Sequence, residues 1–196
     1  MKQSLIVALL LLTSLVLIGA GGAKRNLLKN GGFERFVGNE PDGWTTTNIP
    51  KTVTVVSPSP RAHGGTTAVK CEVRTFGGSK IAGMIRQKDI SISAPTLVMN
   101  GYYVLSSVGK DIGYIALDFQ NEDGSTIGTF DHELSGTKAD FTRFALTINV
   151  PPTAVRVELK CTLLPGPGGG TVHEGSTLLL DDLELLEVSP EQKPVP

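Results

Sequence analysis

The sequence predicts an all-β protein, a β-sandwich of two antiparallel sheets that follows an N-terminal signal peptide. Apolar and polar residues alternate with a period of two along many segments, and turn signals separate these segments at a spacing typical of β-sandwiches. Apolar residues make up 40% of the 196-residue chain, which is enough for a core and excludes a disordered protein. The 23 glycines and 12 prolines are scattered, which excludes a coiled coil or a helical bundle.

The first 23 residues have the layout of a secretory signal peptide. Lys2 supplies a short positive region, residues 5–18 form an apolar stretch, and small residues follow as far as Ala23. The alternative is an uncleaved membrane anchor, but the apolar stretch is shorter than the ~20 residues that a spanning helix needs. We therefore expect cleavage after Ala20 or Ala23, no membrane attachment afterwards, and a secreted protein that is extracellular or at the cell surface.

One domain is predicted over residues 24–188, with a Pro-rich tail at 189–196. Asp123-Gly124 marks a strong hairpin turn because glycine adopts the positive φ that such a turn needs. The Gly- and Pro-rich stretch 165–170 is expected to be a surface loop. The predicted strands are 52–56, 67–73, 82–90, 96–108, 112–120, 126–131, 142–150, 154–163 and 176–188.

Charge and motifs exclude several functions. The chain has 18 basic and 19 acidic residues and no basic tract, so neither a nucleic-acid partner nor a basic membrane-binding patch is expected. It contains no G-x-S-x-G nucleophile motif and no phosphate-binding loop. His132-Glu133 and His173-Glu174 each lack the second histidine of a zinc protease. Acidic residues are numerous enough for a glycosidase pair, but nothing catalytic surrounds them, and we expect no enzymatic activity.

The two cysteines fall on the apolar positions of alternating strands, so both are expected to point into the core. Export would permit a disulfide between Cys71 and Cys161. Two buried free thiols are equally compatible with the sequence, because cysteine often serves as a small core residue.

Motifs near the two ends of the mature chain carry a family resemblance. Segment 26–34, expected to be the first strand, contains N-G-G-F-E, and P-D-G-W follows at 41–44. H-G-G-T-T-A-V-K lies at 63–70 and L-L-L-D-D-L-E-L at 178–185. In this order the motifs resemble carbohydrate-binding modules of the CenC-like and xylan-binding type, which are jelly rolls of the galactose-binding-like superfamily. The resemblance spans residues 26–188 and implies a jelly-roll β-sandwich.

The resemblance also implies a structural calcium ion where the first and last strands meet. Glu34 and Asp181 would supply carboxylates, and Gly32 and Thr66 would supply backbone carbonyls, which are the oxygen ligands that Ca²⁺ prefers. Ordinary surface acids are the alternative. The neighbouring Asp181 and Asp182 inside an apolar strand argue against that alternative, because a desolvated carboxylate needs a partner.

A glycan-binding cleft on the concave face of one sheet is the third implication, with aromatic rings that stack on sugars. In segment 112–120 the apolar positions face inward, so Tyr114 and Gln120 face outward together with Asp118. Trp44 is the only tryptophan, and its alternative role is a lid over one end of the core. Aromatic residues make up only 6% of the chain, a departure from the aromatic-rich pattern of these modules. The candidate ligand-binding residues are Trp44, Tyr102, Tyr114 and Gln120.

Two functions of different classes follow. The first is a secreted, non-catalytic protein that binds a polysaccharide or cell-envelope glycan and holds a structural calcium. The second is an extracellular structural or self-assembling surface protein with the same β-sandwich, whose partner is itself or another exported protein. Exposed cleft aromatics would favour the first function, and an unpaired sheet edge would favour the second.

Overall fold

The computed structural model describes residues 25–188, which fold into strands, turns and loops. The predicted signal peptide and Pro-rich tail lie outside the described residues. Within the described range no helix is long and apolar enough to cross a membrane.

Thirteen strands form in residues 25–188, which confirms the predicted all-β class. They are β1 (Phe36–Val37), β2 (Glu40–Pro41), β3 (Thr45–Thr46), β4 (Val56–Ser59), β5 (Ala68–Phe76), β6 (Ser79–Ala82), β7 (Met84–Ser91), β8 (Thr96–Ser106), β9 (Ile112–Gln120), β10 (Thr126–Leu134), β11 (Lys138–Asn149), β12 (Arg156–Leu164) and β13 (Thr177–Val188).

Two antiparallel sheets make the sandwich, as predicted. The five-stranded sheet has the order β10-β9-β12-β7-β3. The six-stranded sheet runs β11-β8-β13-β5-β4, and β6 pairs with β5 off this path. A separate two-stranded ribbon joins β1 to β2. The last strand, β13, therefore lies in the middle of its sheet, with β8 on one side and β5 on the other.

Apolar side chains on the inner faces of the two sheets form the core. Ile115, Leu117 and Phe119 point inward from β9, as their alternation predicts. Cys71 on β5 and Cys161 on β12 are fully buried in different sheets, and both are free thiols. Burial raises the pKa of Cys71 to about 12 and raises that of Cys161 well above its ordinary value, so both thiols are unreactive.

The expected first strand at 26–34 is wrong. Only Asn26 forms a bridge, to Leu186, and the segment then turns, with φ near +50° at Asn30 and +50° at Phe33. The segment still runs beside β13, because the Leu183 N–H donates to the Gly31 carbonyl at 2.9 Å. The register of β13 shifts between Asp181 and Glu184, and this irregularity prevents a regular ladder beside it.

Two other predicted strands differ from the structure. Most of 52–56 lies outside any strand. The Asn48 side-chain oxygen accepts hydrogen bonds from the N–H groups of Val55 and Val56 at 2.8 Å each, and these bonds replace the hydrogen bonds to a neighbouring strand. Segment 82–90 divides at Gly83, where the chain crosses from the six-stranded to the five-stranded sheet. A Cβ at Gly83 would overlap the Val55 carbonyl oxygen, so the crossing requires glycine.

The close approach of Gly31 to β13 leads to a stability prediction. A Cβ at Gly31 would overlap the Leu183 carbonyl oxygen, and we expect Gly31→Ala to lower the free energy of unfolding by about 1–3 kcal/mol. Urea denaturation measures this change. The control is Gly170→Ala, where no atom lies within 4 Å and the change should stay below about 0.5 kcal/mol. Equal stabilities of the two variants would contradict the close approach.

Candidate functional site

Outward side chains of the five-stranded sheet form a surface that we call the polar face. The same alternation that buries Ile115, Leu117 and Phe119 turns their neighbours on β9 outward. Strands β7, β10 and β12 add charged and hydroxyl groups in register with them. The polar face consists of Arg86, Tyr114, Asp118, Thr129, Glu158 and Lys160.

Hydrogen bonds and ion pairs connect the charges of the polar face. Lys160 Nζ lies 2.5 Å from Asp118 Oδ2 and 3.5 Å from Glu158 Oε1. Arg86 Nη1 lies 3.6 Å from the same Glu158 oxygen, and the Thr129 hydroxyl donates to Asp118 Oδ1 at 2.8 Å. The side chains of Glu158 and Asp118 are only 10% and 18% exposed. The network is therefore partly shielded from water, which strengthens its interactions.

The network also determines the charge of Asp118. Burial raises the pKa of this carboxyl, but the hydrogen bonds from Lys160 and Thr129 and the positive charge of Lys160 outweigh burial, so the pKa lies below its ordinary value. Asp118 in turn raises the pKa of Lys160. Both groups are therefore ionised at neutral pH.

Tyr114 lies on the polar face beside this network. Its register partners are Thr162 on β12 and Glu133 on β10, and its side chain is half-buried. Burial raises the pKa of its hydroxyl first, and the nearby charges of Asp131 and Asp118 raise it further. The phenol therefore stays neutral, a hydrogen-bonding group at the end of an apolar ring.

Gln120 lies on the same face at the far end of β9. It is opposite Arg156 of β12 in the register, and its side chain is half-buried. It lies six positions after Tyr114, about 20 Å along a strand. The structure therefore places Tyr114 and Gln120 on one surface, as their alternation predicts.

Tyr102 does not belong to this surface. The expectation that Tyr102 and Tyr114 contact a ligand in one cleft is therefore wrong. It points outward from β8, which is in the six-stranded sheet. Its ring is covered by the His63 ring, which stacks on it with a centroid distance of 3.4 Å and an interplanar angle of 14°. Tyr102 and Tyr114 therefore lie on opposite sides of the sandwich and cannot contact one short ligand.

Trp44 is also removed from the candidate ligand contacts. Its side chain is buried, at 6% exposure, and packs against Phe33 with ring centroids 5.4 Å apart. The indole N–H donates to the Lys29 carbonyl at 2.9 Å. With its ring packed and its N–H satisfied, Trp44 closes one end of the core, the alternative role that the sequence left open.

Glu34, Asp181 and the loop 63–67 form a second arrangement, which we call the carboxylate clamp. Asp181 is fully buried, and its Oδ2 accepts the N–H groups of His63 at 2.7 Å and Gly64 at 3.1 Å. Glu34 is exposed and accepts the Thr66 hydroxyl at 2.7 Å and the Thr67 N–H at 3.1 Å. Two carboxylates distant in sequence thus bind one loop.

Backbone geometry and pKa values fit this arrangement. Gly65 has φ +61°, and a Cβ there would overlap the Glu34 carboxylate, so glycine is needed for the loop to close on it. The hydroxyl and N–H of Thr66 and the N–H of Thr67 lower the pKa of Glu34. Burial raises the pKa of Asp181, and the N–H groups of His63 and Gly64 oppose that rise.

The oxygen groups of the clamp match part of the predicted calcium site. The clamp brings together three of the four predicted ligands, Glu34, Asp181 and Thr66, and Gly32 lies beside it, since a Cβ at Gly32 would be 3.5 Å from Asp182 Oδ1. Carboxylate and carbonyl oxygens fit Ca²⁺ chemically. The loop, however, directs N–H groups at both carboxylates, and residues 25–188 contain no group of three metal-ligating side chains. The hydrogen bonds of the described residues are thus an alternative to a metal ion for holding the clamp together.

The site residues predicted from the sequence do not include Arg86, Glu158, Lys160 or His63. The outward positions of the predicted strands 82–90 and 154–163 indicated charged residues. Their pairing depends on strand order, which places β12 between β9 and β7. His63 can be recognised as a site residue only from the structure of the clamp, where its ring nitrogen Nδ1 lies 2.7 Å from Asp182 Oδ2.

The fold is shared with known carbohydrate-binding modules. No protein-family model matches the chain. No curated protein matches its sequence. Among solved structures, a family 61 carbohydrate-binding module in complex with β-1,4-galactotriose matches with TM-score 0.54 and 18% identity over 84% of this chain and 99% of that one. The CBM22-1 xylan-binding domain of Xyn10C from Paenibacillus barcinonensis matches with TM-score 0.55 and 15% identity, over 87% and 99%.

The enzymatically active domain of tailspike protein 4 from bacteriophage CBA120 also matches, with TM-score 0.59 and 18% identity over 83% of this chain. The chain spans only 21% of that tailspike domain. At these identities the likeness shows the fold alone. It confirms the predicted jelly-roll β-sandwich and the resemblance to xylan-binding modules at the level of the fold.

The ion pair at the centre of the polar face leads to a stability prediction. Lys160→Gln leaves the shielded Asp118 without its cation, and we expect a loss of about 1–2 kcal/mol at pH 7, between the values for exposed and buried pairs. The pKa of Asp118 is lowered in the folded protein, so its contribution is present above the unfolded pKa of 3.8 and is lost as pH falls through the folded pKa. The difference between variant and wild type should shrink below pH 3.8.

Urea denaturation at pH 7 and pH 3 measures both effects. The matched control is Lys88→Gln on β7 of the same sheet, an exposed lysine without an ion pair in the described residues, which should behave as wild type. A loss for Lys160→Gln that is the same at both pH values would contradict the electrostatic explanation.

Proposed function

We propose that this protein is a secreted, non-catalytic carbohydrate-binding protein that binds a polysaccharide or cell-envelope glycan on its polar face. The observation that carries the proposal is the half-buried Tyr114 ring beside the ordered ion network of Asp118, Glu158 and Lys160. The fold supports it, because the similar family 61 module was crystallised with β-1,4-galactotriose and the similar CBM22-1 domain is a xylan-binding domain.

The chemistry of the polar face suits sugar hydroxyls. The Tyr114 ring offers an apolar surface for the C–H groups of a pyranose ring. Carboxylate oxygens of Asp118 and Glu158 can accept hydrogen bonds from hydroxyls, and Lys160 and Arg86 can donate. Their mutual ion pairs already hold these side chains in place, so ligand binding costs little further side-chain entropy.

The charge of Asp118 favours binding over hydrolysis. A glycosidase needs one carboxyl group with a raised pKa as its general acid. The pKa of Asp118 is instead lowered by hydrogen bonds and by the charge of Lys160, against the effect of burial. Asp118 is therefore unsuited to the role of general acid and suited to accept hydrogen bonds.

A structural calcium ion at the carboxylate clamp belongs to the same proposal. Glu34 and Asp181 would hold it with their carboxylates, and Gly32 and Thr66 with their carbonyls. The ion would supply positive charge to two carboxylates that converge on one loop, one of them fully buried. It would thereby stabilise the attachment of the chain ends to loop 63–67.

A second function, an assembling surface protein, is favoured by the free edges of both sheets. β10 has nine residues and β11 has twelve, and in the described part of the chain each pairs with only one neighbour. Long unpaired edges can accept a strand of another chain. Self-association would then replace glycan binding as the activity.

Replacing Tyr114 tests the proposed glycan site. Tyr114→Ala removes the only ring of the polar face, and we expect binding to glycans on an array to weaken at least about tenfold, a loss of about 1.4 kcal/mol. The matched control is Tyr102→Ala, on the opposite side of the sandwich, which should retain binding. Circular dichroism would show that both variants are folded.

The outcomes distinguish the two functions. Glycan binding that depends on Tyr114 and not on Tyr102 supports the first. An absence of glycan binding, together with concentration-dependent oligomers in light scattering, rejects the polar face as a glycan site and supports the second.

Calcium removal tests the clamp. A ligand present at a hundredfold excess over its Kd stabilises a protein by about 2.7 kcal/mol, so chelation should lower the Tm by several degrees. We expect Glu34→Gln to abolish this response. The control is Glu174→Gln, another exposed carboxylate that accepts a threonine hydroxyl, which should leave the response intact. A Tm that is insensitive to chelator and yet lowered by Glu34→Gln would show that hydrogen bonds alone hold the clamp.

A further inference from the structure

A cleft is lined by residues of both β10 and β11, the edge strands of the two sheets. Its volume is 410 Å³, within the usual range for small-molecule sites. We call it the edge cleft. Residues that line it include Tyr103, His132, Leu134, Lys138, Phe144 and Leu146.

Aromatic and aliphatic side chains form the floor of the edge cleft. Tyr103, Phe144 and Leu134 are 6%, 7% and 2% exposed. The rings of Tyr103 and Phe144 are tilted, with centroids 6.4 Å apart. A Cβ at Gly101 would lie 2.8 Å from Phe144 Cζ, so glycine at that position makes room for the ring. The floor is therefore a packed apolar surface.

The Tyr103 hydroxyl has no protein partner. It makes no hydrogen bond within residues 25–188, whereas the N–H of buried Trp44 donates to a backbone carbonyl. No side-chain polar atom of the described residues is both fully buried and without a partner, so the hydroxyl must reach solvent through the cleft. A phenol that is nine-tenths buried and whose hydroxyl still reaches solvent is placed to bond a ligand.

Two basic side chains occupy positions of the edge strands that should be apolar. His132 is opposite the buried Ile115 in the register, and Lys138 is opposite the buried Leu105, so both belong to the inner faces of their sheets. Both are half-buried, and neither forms an ion pair with another described residue. Basic groups at inward positions without an internal anion favour an anionic ligand.

We propose that the edge cleft is a second binding site, distinct from the polar face, for a sugar acid, a monosaccharide unit that carries a carboxylate. The partly buried Leu146 would contact the C–H face of the sugar above the packed Phe144 ring, and the Tyr103 hydroxyl would bond a ring hydroxyl. Lys138 and His132 would hold the carboxylate. The site does not depend on the polar face, because Tyr114 and Glu133 point to the outer side of the five-stranded sheet.

Titration of the purified protein with glucuronate and galacturonate, followed by NMR chemical shifts, tests the proposal. We expect both acids to bind with Kd on the order of 1 mM, and glucose, galactose and acetate to bind at least about tenfold more weakly. Tyr103→Phe removes one oxygen from a packed ring and should weaken binding severalfold at an unchanged Tm. Lys138→Gln should remove the preference for acids over neutral sugars.

The controls separate this site from others. Lys110→Gln changes a lysine that lines a different cleft and should have no effect. Tyr114→Ala should also have no effect, so failure of the polar face as a glycan site leaves this result intact. Absence of binding, equal binding of acetate, or binding unchanged by both Tyr103→Phe and Lys138→Gln would overturn the proposal. If raising the protein concentration, without added ligand, changed the NMR chemical shifts of β10 and β11 alone, the cleft would be a contact between two copies of the chain and the proposal would be overturned.

Discussion

The attachment of loop 63–67 to the buried carboxylate of Asp181 is the interaction on which the rest of the sandwich depends. A carboxylate without solvent contact is costly unless N–H donors replace the lost water, and His63, Gly64 and Asp182 each supply one. These bonds fix the irregularity in β13. Beside that irregularity, Gly31 docks on Leu183 and Glu34 reaches Thr66. A single buried charge thus positions the start, the middle and the end of the chain.

The two sheets use their outer faces differently. The six-stranded sheet is covered near its centre, where His63 stacks on Tyr102. The five-stranded sheet leaves Tyr114 and its ion network accessible, because β10, β9, β12 and β7 carry polar groups outward in register. The proposed glycan-binding surface is therefore the one that the clamp does not cover. The edge cleft lies where β10 and β11, the edge strands of the two sheets, do not pair with each other.

Local patterns predicted the strands well where the ladder is regular and failed where side chains replace it. Segment 112–120 has the bounds expected from its alternation, since both of its neighbours pair without interruption over most of its length. Segment 26–34 does not form a strand, because Asn30 and Phe33 adopt positive φ. Tyr114 could be assigned to an outer face from β9 alone. Its separation from Tyr102 and the pairing of Asp118 with Lys160 depend on strand order, which no local pattern contains.

The central position of β13 determines when the chain can fold. β8 and β5 acquire their shared neighbour only after residue 188 has been synthesised, because the last strand lies between them. Pairings this distant in sequence form slowly. A chain in which β13 has not yet been synthesised therefore lacks the middle of its larger sheet. This late folding would suit the proposed secretion, because a chain must be unfolded to pass through a translocation channel.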